Sequence, residues 1–341
     1  MRPIGWSGGL LGVLLLVGCT DSFPPVQTLS GFAQGTTYNI SYWAEQAPDD
    51  KQITADLEKV FLELDKNLSN YRPDSVIEQF NAKASTEPQS VGEEIVSLVR
   101  IAKEVSAVSH GCYDLTIKPL FVMWGFLADE LTVPEPAALQ AAMANVGMDK
   151  LQLVDDVQMS KKLPSVAVDL SSIAQGYSVE KISKALESLG ITNYLVEIGG
   201  ELKALGHKPD GKAWRIAVEK PLPGERHMHK VVTLPKDAPM SVMTSGTYRH
   251  YFDIKGQRYS HILDARNGKP VAHDLVAVSV FHESPTVADA WSTALLCLGQ
   301  EEGMKIADAE KLQVMFIQQE GTEFLESKTR ALTMSTLVTI N

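Results

Sequence analysis

Two short stretches carry residue types that do chemistry. In ADAWST (288–293), Asp289 and Thr293 lie four residues apart, on one face of an expected helix. Both are weak helix formers, yet they interrupt an apolar run of Val287, Ala290, Trp291, Ala294, Leu295 and Leu296. One reading is a polar stripe turned to solvent. The other is a pair of hard oxygen ligands for Mg²⁺, an ion that takes a carboxylate, neutral oxygens and substrate phosphates in preference to an all-protein cage. In VDLSSIAQGY (168–177), Asp169 and Ser172 sit at an expected strand-to-helix corner with Gly176 inside the first turns of the helix. A helix start offers unpaired N–H groups and a favourable dipole to phosphate. Glycine within a helix costs about 1 kcal/mol relative to alanine, which points to close approach of another backbone or a ligand. The plainer alternative is an Asp169 that caps its own helix.

Other polar groups fall at the ends of elements. Gly199-Gly200 follows the strand-like YLVEI, and SGTY (245–248) supplies hydroxyls and backbone N–H groups. His261, in YSHILD, is expected within a strand, three residues before Asp264. A lone strand histidine is commonly a satisfied core residue; gathered with the other groups it belongs to a ligand cleft. Cys297 lies in an apolar helical run and reads as a small buried hydrophobe, while Cys112 lies in a polar loop. Nothing in their spacing calls for a disulfide.

The elements that must position these residues alternate along 341 residues. Strand composition appears at 36–43, and apolar residues at helical spacing over 53–68. Helices are expected at 75–81, with Ser75 as N-cap, and at 93–109 and 136–145. The second half reads strand 166–169, helix 172–189 and strand 194–198, then strands at 214–219, 230–234, 240–244, 259–263 and 276–281. Helices at 285–298 and 301–309 and a strand at 312–317 follow. One βαβ-like unit among many strands argues for an α+β domain with mixed or antiparallel sheets flanked by helices.

Composition bounds the function. The formal net charge is -11 with no basic cluster, which excludes nucleic-acid binding as a working idea, because neutralising phosphates needs a basic face. An acidic protein that handles a phosphate-bearing substrate needs a metal cation to offset the repulsion. At the N-terminus, Arg2 and the apolar residues 10–17 form a segment too short to span a membrane, ending in Leu16-Val17-Gly18-Cys19. Small residues before a cysteine point to a lipoprotein signal: 1–18 would be removed and Cys19 diacylated, with 19–30 as a tether and 31–341 as one domain; the other reading is an ordinary secretory signal cut nearby, with Cys19 incidental.

The ordered set GFAQGTTY (31–38), YRPDSVIEQFN (71–81), GCYDLTIKPLFVMWGF (111–126), VDLSSIAQGYSVEK (168–181) and YLVEIGGELKALG (194–206) continues with WRIAVEKP (214–221), SGTYRHYF (245–252), SHILDARNGKP (260–270) and ADAWSTALLCLG (288–299). It resembles the ApbE family of FAD:protein FMN transferases from about residue 31 to 322. The resemblance implies a single domain related to the T-fold. It also implies Mg²⁺-dependent cleavage of FAD, with FMN passed to a threonine hydroxyl of an acceptor protein and AMP leaving. Its implied acceptors are subunits of Na⁺-translocating NADH:quinone reductase or Rnf-type complexes. Metal ligands carried over by position are Ser172 (through its carbonyl), Asp289 and Thr293. The FAD contacts are Gln34, Tyr71, Cys112, Tyr113, Asp114, Asp169, Gln175 and Leu263, and His261 is the base. A place on the periplasmic face, at the inner membrane, is implied with them. Gln34 stands where methionine is usual, and Gln175 where lysine often stands. FAD pyrophosphatase activity and a lipid-anchored flavin carrier remain as alternatives.

Overall fold

The computed structural model describes residues 23–341 apart from 47, 129, 223–226, 249–250 and 255–256. The expected signal segment 1–18 and Cys19 lie outside the described residues. Eight strands form one antiparallel sheet in the spatial order Gln27–Ala33, Thr36–Trp43, Asn193–Ile198, Glu201–Leu205, Met240–Gly246, Leu275–His282, Gln313–Glu320 and Glu323–Lys328. Alternation along each strand divides its side chains between two cores. Val196, Ile198, Val278, Val280 and Val314 face helices Asp50–Leu68, Gly92–Val108, Ser171–Ser188 and Pro285–Ala309. Ala204, Val242, Ala277, Phe281 and Met315 face the other way, onto a small sheet of Arg215–Glu219, Met228–Thr233 and Thr339–Ile340. The architecture is thus the expected α+β domain, with every paired strand among the described residues antiparallel.

Three expectations differ from the structure. Residues 166–169 form no strand; they link strand Gln158–Lys161 to helix Ser171–Ser188, with their backbone bonded to the Asn81 side chain and to Leu115 instead of a ladder. Asn81 Oδ1 accepts from Val168 N at 2.7 Å, Asn81 Nδ2 donates to Val168 O at 2.8 Å, and Asp169 N donates to Leu115 O at 2.7 Å. A buried backbone must find such partners somewhere. His261 is not within a strand either: it falls between Gln257–Ser260 and Leu263–Asp264. The two helices expected at 285–298 and 301–309 are both present: the helical run Pro285–Ala309 breaks at Gly299, whose φ of 78° and ψ of 178° are non-helical. Lastly, strand Gln27–Ala33 already pairs with Thr36–Trp43 from Gln27 onward, so ordered structure begins inside the segment expected as tether.

The helix that begins at Ser171 is held against the one that begins at Pro285 by a missing side chain. A Cβ at Gly176 would collide with the Pro285 carbonyl oxygen and come within 2.6 Å of Asp289 Cβ. Glycine pays its helix cost here so that two backbones can touch, and the contact sets Asp289 beside the first turns of the Ser171 helix.

Candidate active site

Two cavities meet at the start of the Ser171 helix. The outer one, about 880 Å³, is walled by Phe32, Tyr38, Phe61 and Tyr71, with Gln34 and Asn70 among its polar groups. The inner one, about 260 Å³, is lined by Tyr113, Asp114, Ser172, His261, Asp289 and Thr293. Ser171 and Gln175 line both. The pair therefore forms one elongated cleft, of a shape that takes a ligand with two bulky halves joined by a narrow linker.

The inner chamber gathers oxygens. Asp289 is buried (7% exposed), and its Oδ2 accepts from Gly176 N at 2.7 Å. In a regular helix that N–H belongs to the Ser172 carbonyl, four residues back. Burial pushes the Asp289 carboxyl up to about 7, since a charge removed from water is disfavoured. Ser172 Oγ donates to the Tyr113 hydroxyl at 3.2 Å, and Ser245 Oγ lies 3.0 Å from Thr293 Oγ1 and 2.8 Å from Ser292 Oγ. Ser292 Oγ in turn donates to the Asp289 carbonyl at 2.9 Å. No lysine or arginine is among the described residues lining this chamber. A buried carboxylate beside hydroxyl oxygens, with no lysine or arginine facing it among the described residues, has the donor chemistry of a hard divalent ion.

The residues expected to contact a nucleotide separate into three groups. Gln34 and Tyr71 line the outer cavity, where Tyr71 is 81% exposed, and Gln34 sits in a two-residue hairpin turn with φ of 52° followed by Gly35 at 77°. Cys112, Tyr113, Asp114 and Leu263 line the inner chamber with His261, Ser172, Asp289 and Thr293. Gln175 bridges both, and its Nε2 donates to Ile198 O at 2.7 Å, which ties the helix to the end of a sheet strand. Asp169 is different: it lines neither cavity. Its Oδ1 accepts from Ser171 N at 2.9 Å and from Ser171 Oγ, so the carboxylate caps the helix start, and burial raises its pKa. Asp114 likewise accepts from Thr116 N at 2.7 Å and Met148 N at 2.9 Å, holding the loop in place, and burial raises it too.

Cys112 and Cys297 are joined in a disulfide with Cα atoms 6.0 Å apart. The bond lies in the chamber wall, tying the loop before Tyr113 to the helix that carries Asp289 and Thr293. At a sequence separation of 185, no local spacing announces the pair. Asp264 stands near both sulfurs, but disulfide sulfurs offer no thiolate to a metal, and Asp264 Oδ2 is bonded to the Arg266 guanidinium at 2.9 Å.

Glu201 and Thr244 also line the inner chamber and were not singled out by sequence. Glu201 is 5% exposed, and its Oε2 accepts from Thr244 N at 2.8 Å. The available signal was an acid directly after the Gly199-Gly200 turn, where both glycines have positive φ.

Comparison with known proteins gives consistent matches. The model described as "ApbE family" matches residues 34–316. A protein of Vibrio cholerae named FAD:protein FMN transferase is 37% identical over 315 residues, covering 92% of this chain and 93% of that protein. One of the same name from Salmonella typhimurium is 33% identical over 326 residues, covering 92% of each. Among solved structures, the Pseudomonas stutzeri flavinyl transferase ApbE in its apo form superposes with a TM-score of 0.83 at 38% identity, covering 92% of this chain and 97% of that one. The flavin transferase ApbE from Vibrio cholerae superposes with a TM-score of 0.82 at 35% identity, covering 91% and 99%.

Proposed function

The chain belongs to the ApbE family, and on that premise we propose that it is an FAD:protein FMN transferase, cleaving FAD at its pyrophosphate and passing FMN to a threonine hydroxyl of an acceptor protein. The observation that carries this reading is the buried Asp289 carboxylate in one chamber with Ser172 and Thr293, the inner of two cavities that together suit a dinucleotide. Ser172, Asp289 and Thr293 would hold Mg²⁺. When bound, the ion supplies positive charge that offsets the phosphates and eases departure of AMP.

The chain's own residues do the rest. Phe32, Tyr38 and Phe61 give the outer cavity an aromatic wall for one ring system. Gln175, held at its amide nitrogen, keeps Oε1 as an acceptor where a lysine would bring a cation, so positive charge at this site falls to the metal. His261 takes the proton from the acceptor threonine as its oxygen bonds to the FMN phosphorus and the bond to the AMP oxygen breaks. The disulfide and the Asp114 and Asp169 caps hold the walls of the chamber.

The acceptor is a flavin-carrying subunit of a Na⁺-translocating NADH:quinone reductase or an Rnf-type complex. The enzyme is anchored through a lipid on Cys19 to the periplasmic face of the inner membrane. No helix among the described residues is long and apolar enough to cross a membrane, so attachment would depend on that cysteine.

Mass spectrometry of such a subunit after incubation with the protein, FAD and Mg²⁺ tests the transfer. A gain equal to one esterified FMN on a threonine is expected, absent with EDTA. Release of FMN and AMP with the acceptor left unlabelled would refute transfer in favour of hydrolysis. For the anchor, Cys19→Ala is expected to move the protein from the membrane fraction to the soluble one.

A further inference from the structure

A second groove, about 240 Å³, runs along strand Arg215–Glu219, all five residues of which line it. This strand stands at the end of its three-stranded sheet. Register shows which way its backbone points. Val231, on the neighbouring strand, donates to Asn341 O at 3.1 Å and accepts from Asn341 N at 2.9 Å, so its polar groups face away from Arg215–Glu219. Ala217 is the residue opposite Val231. In an antiparallel pair, opposed residues alternate between bonded and non-bonded, so Ala217 also turns its N–H and C=O outward. The bond from Leu234 N to Trp214 O, at 3.0 Å, has the complementary parity and puts Arg215 outward with Ala217. Among the described residues nothing pairs with the Ala217 backbone.

The other wall of the groove includes Leu195, Glu197, Gly200, Thr244 and Tyr248. Thr244 also lines the inner chamber, and Gly200 in the groove adjoins Glu201 in the chamber. At this point the main sheet forks. Pairing between Glu201–Leu205 and Met240–Gly246 stops at Leu202 and Val242, and beyond it the Glu201 side chain takes the Thr244 N–H in place of a backbone partner. The groove and the chamber thus meet across the fork.

We infer that an extended, threonine-bearing segment of the acceptor protein docks as an added strand on Arg215–Glu219 and passes its hydroxyl over Thr244 into the inner chamber. The inference rests on the transferase reading above. An acceptor that is itself a protein always presents a backbone, and a strand edge binds an extended backbone through N–H and C=O groups whatever the side chains are. The groove shares no lining residue with the outer cavity, so this approach leaves the half of a bound dinucleotide seated there in place. Only a polypeptide uses both the strand edge and the chamber beyond it.

The test combines one variant with one measurement on the unaltered protein. Ala217→Pro removes an outward N–H and blocks strand addition, while the bonds to Met228–Thr233 come from its neighbours, and proline is tolerated on such an edge. At least a five-fold rise in KM for the acceptor subunit is expected, with kcat and FAD binding by fluorescence titration close to wild type. In parallel, hydrogen exchange at the Arg215 and Ala217 amides is read with an acceptor whose target threonine is alanine. Both amides are expected to slow on its addition. Flavinylation with unchanged KM in the variant and unchanged exchange would overturn the docking site and leave the transferase standing. Slow exchange without acceptor, deepening with protein concentration, would assign the edge to a second copy of this chain and overturn it as well. Absence of flavinylation by the wild type would remove both the transferase reading and this one. If Ala217→Pro loses FAD binding, the exchange measurement alone decides.

Discussion

Replacing Asp289 by asparagine separates what the carboxylate costs the fold from what it does for the ion. A free aspartate titrates near 4, and burial carries Asp289 to about 7. Three units at about 1.4 kcal/mol each give about 4 kcal/mol of differential stability. The sign follows from proton uptake. With the folded value raised, the native protein binds more protons than the unfolded chain between pH 4 and 7. The stability from protonated Asp289 is therefore complete below about pH 4, is lost as pH rises through 7, and stays lost above it. The asparagine amide keeps an acceptor for the Gly176 N–H and never ionises. In urea unfolding with EDTA, Asp289→Asn is expected to match wild type near pH 4 and to exceed it by up to about 4 kcal/mol at pH 8. Mg²⁺ at pH 8 is expected to stabilise wild type alone, and the variant should transfer no FMN. A stability gap independent of pH, or equal stabilisation of both proteins by Mg²⁺, would refute the argument.

Gly176→Ala drives a methyl into the Pro285 carbonyl, so a loss of about 1–3 kcal/mol and weaker Mg²⁺ binding are expected by thermal melts with and without the ion. Thr293→Val is expected to raise the Mg²⁺ concentration for half-maximal activity about ten-fold, with Thr293→Ser restoring it, because only the hydroxyl is a hard ligand. Reducing Cys112–Cys297 with dithiothreitol is expected to cost about 2–5 kcal/mol by denaturant titration, and a reduced protein as stable as the oxidised one would count against the disulfide as a staple. Asn81→Leu strands the Val168 N–H and C=O, for an expected loss of about 2–4 kcal/mol by urea titration.

Local pattern reached the elements whose causes are local. Ile53, Leu57, Phe61, Leu64 and Leu68 recur at helical spacing and are the buried face of Asp50–Leu68. Ser75 caps its helix by accepting from Glu78 N at 3.2 Å, as its type and position promised. The apparent strand at 166–169 misled because alternation of the buried Val166 and Val168 also occurs in a linking segment outside any sheet; its partners, Asn81 and Leu115, are far away in sequence. Asp169 illustrates the limit at the site. An acid before two serines serves either as a cap or as a ligand contact, and only the geometry places its oxygen on Ser171. The two stretches that hold Ser172 and Asp289 were legible separately, since composition marked each as odd. That both meet in one chamber, with Glu201 across the fork and a disulfide in the wall, depends on long-range packing that no window of sequence contains.

The first turn of the Ser171 helix, whose Ser171 and Gln175 face both cavities, has a bearing on turnover. A guest that reaches from one cavity to the other is bivalent: each half holds the other at high local concentration, and the whole stays although each grip is modest. Cutting the linker at that turn makes two monovalent guests, each left with its own hold alone. On the proposed reaction, the tight state would thus end with the chemical step itself.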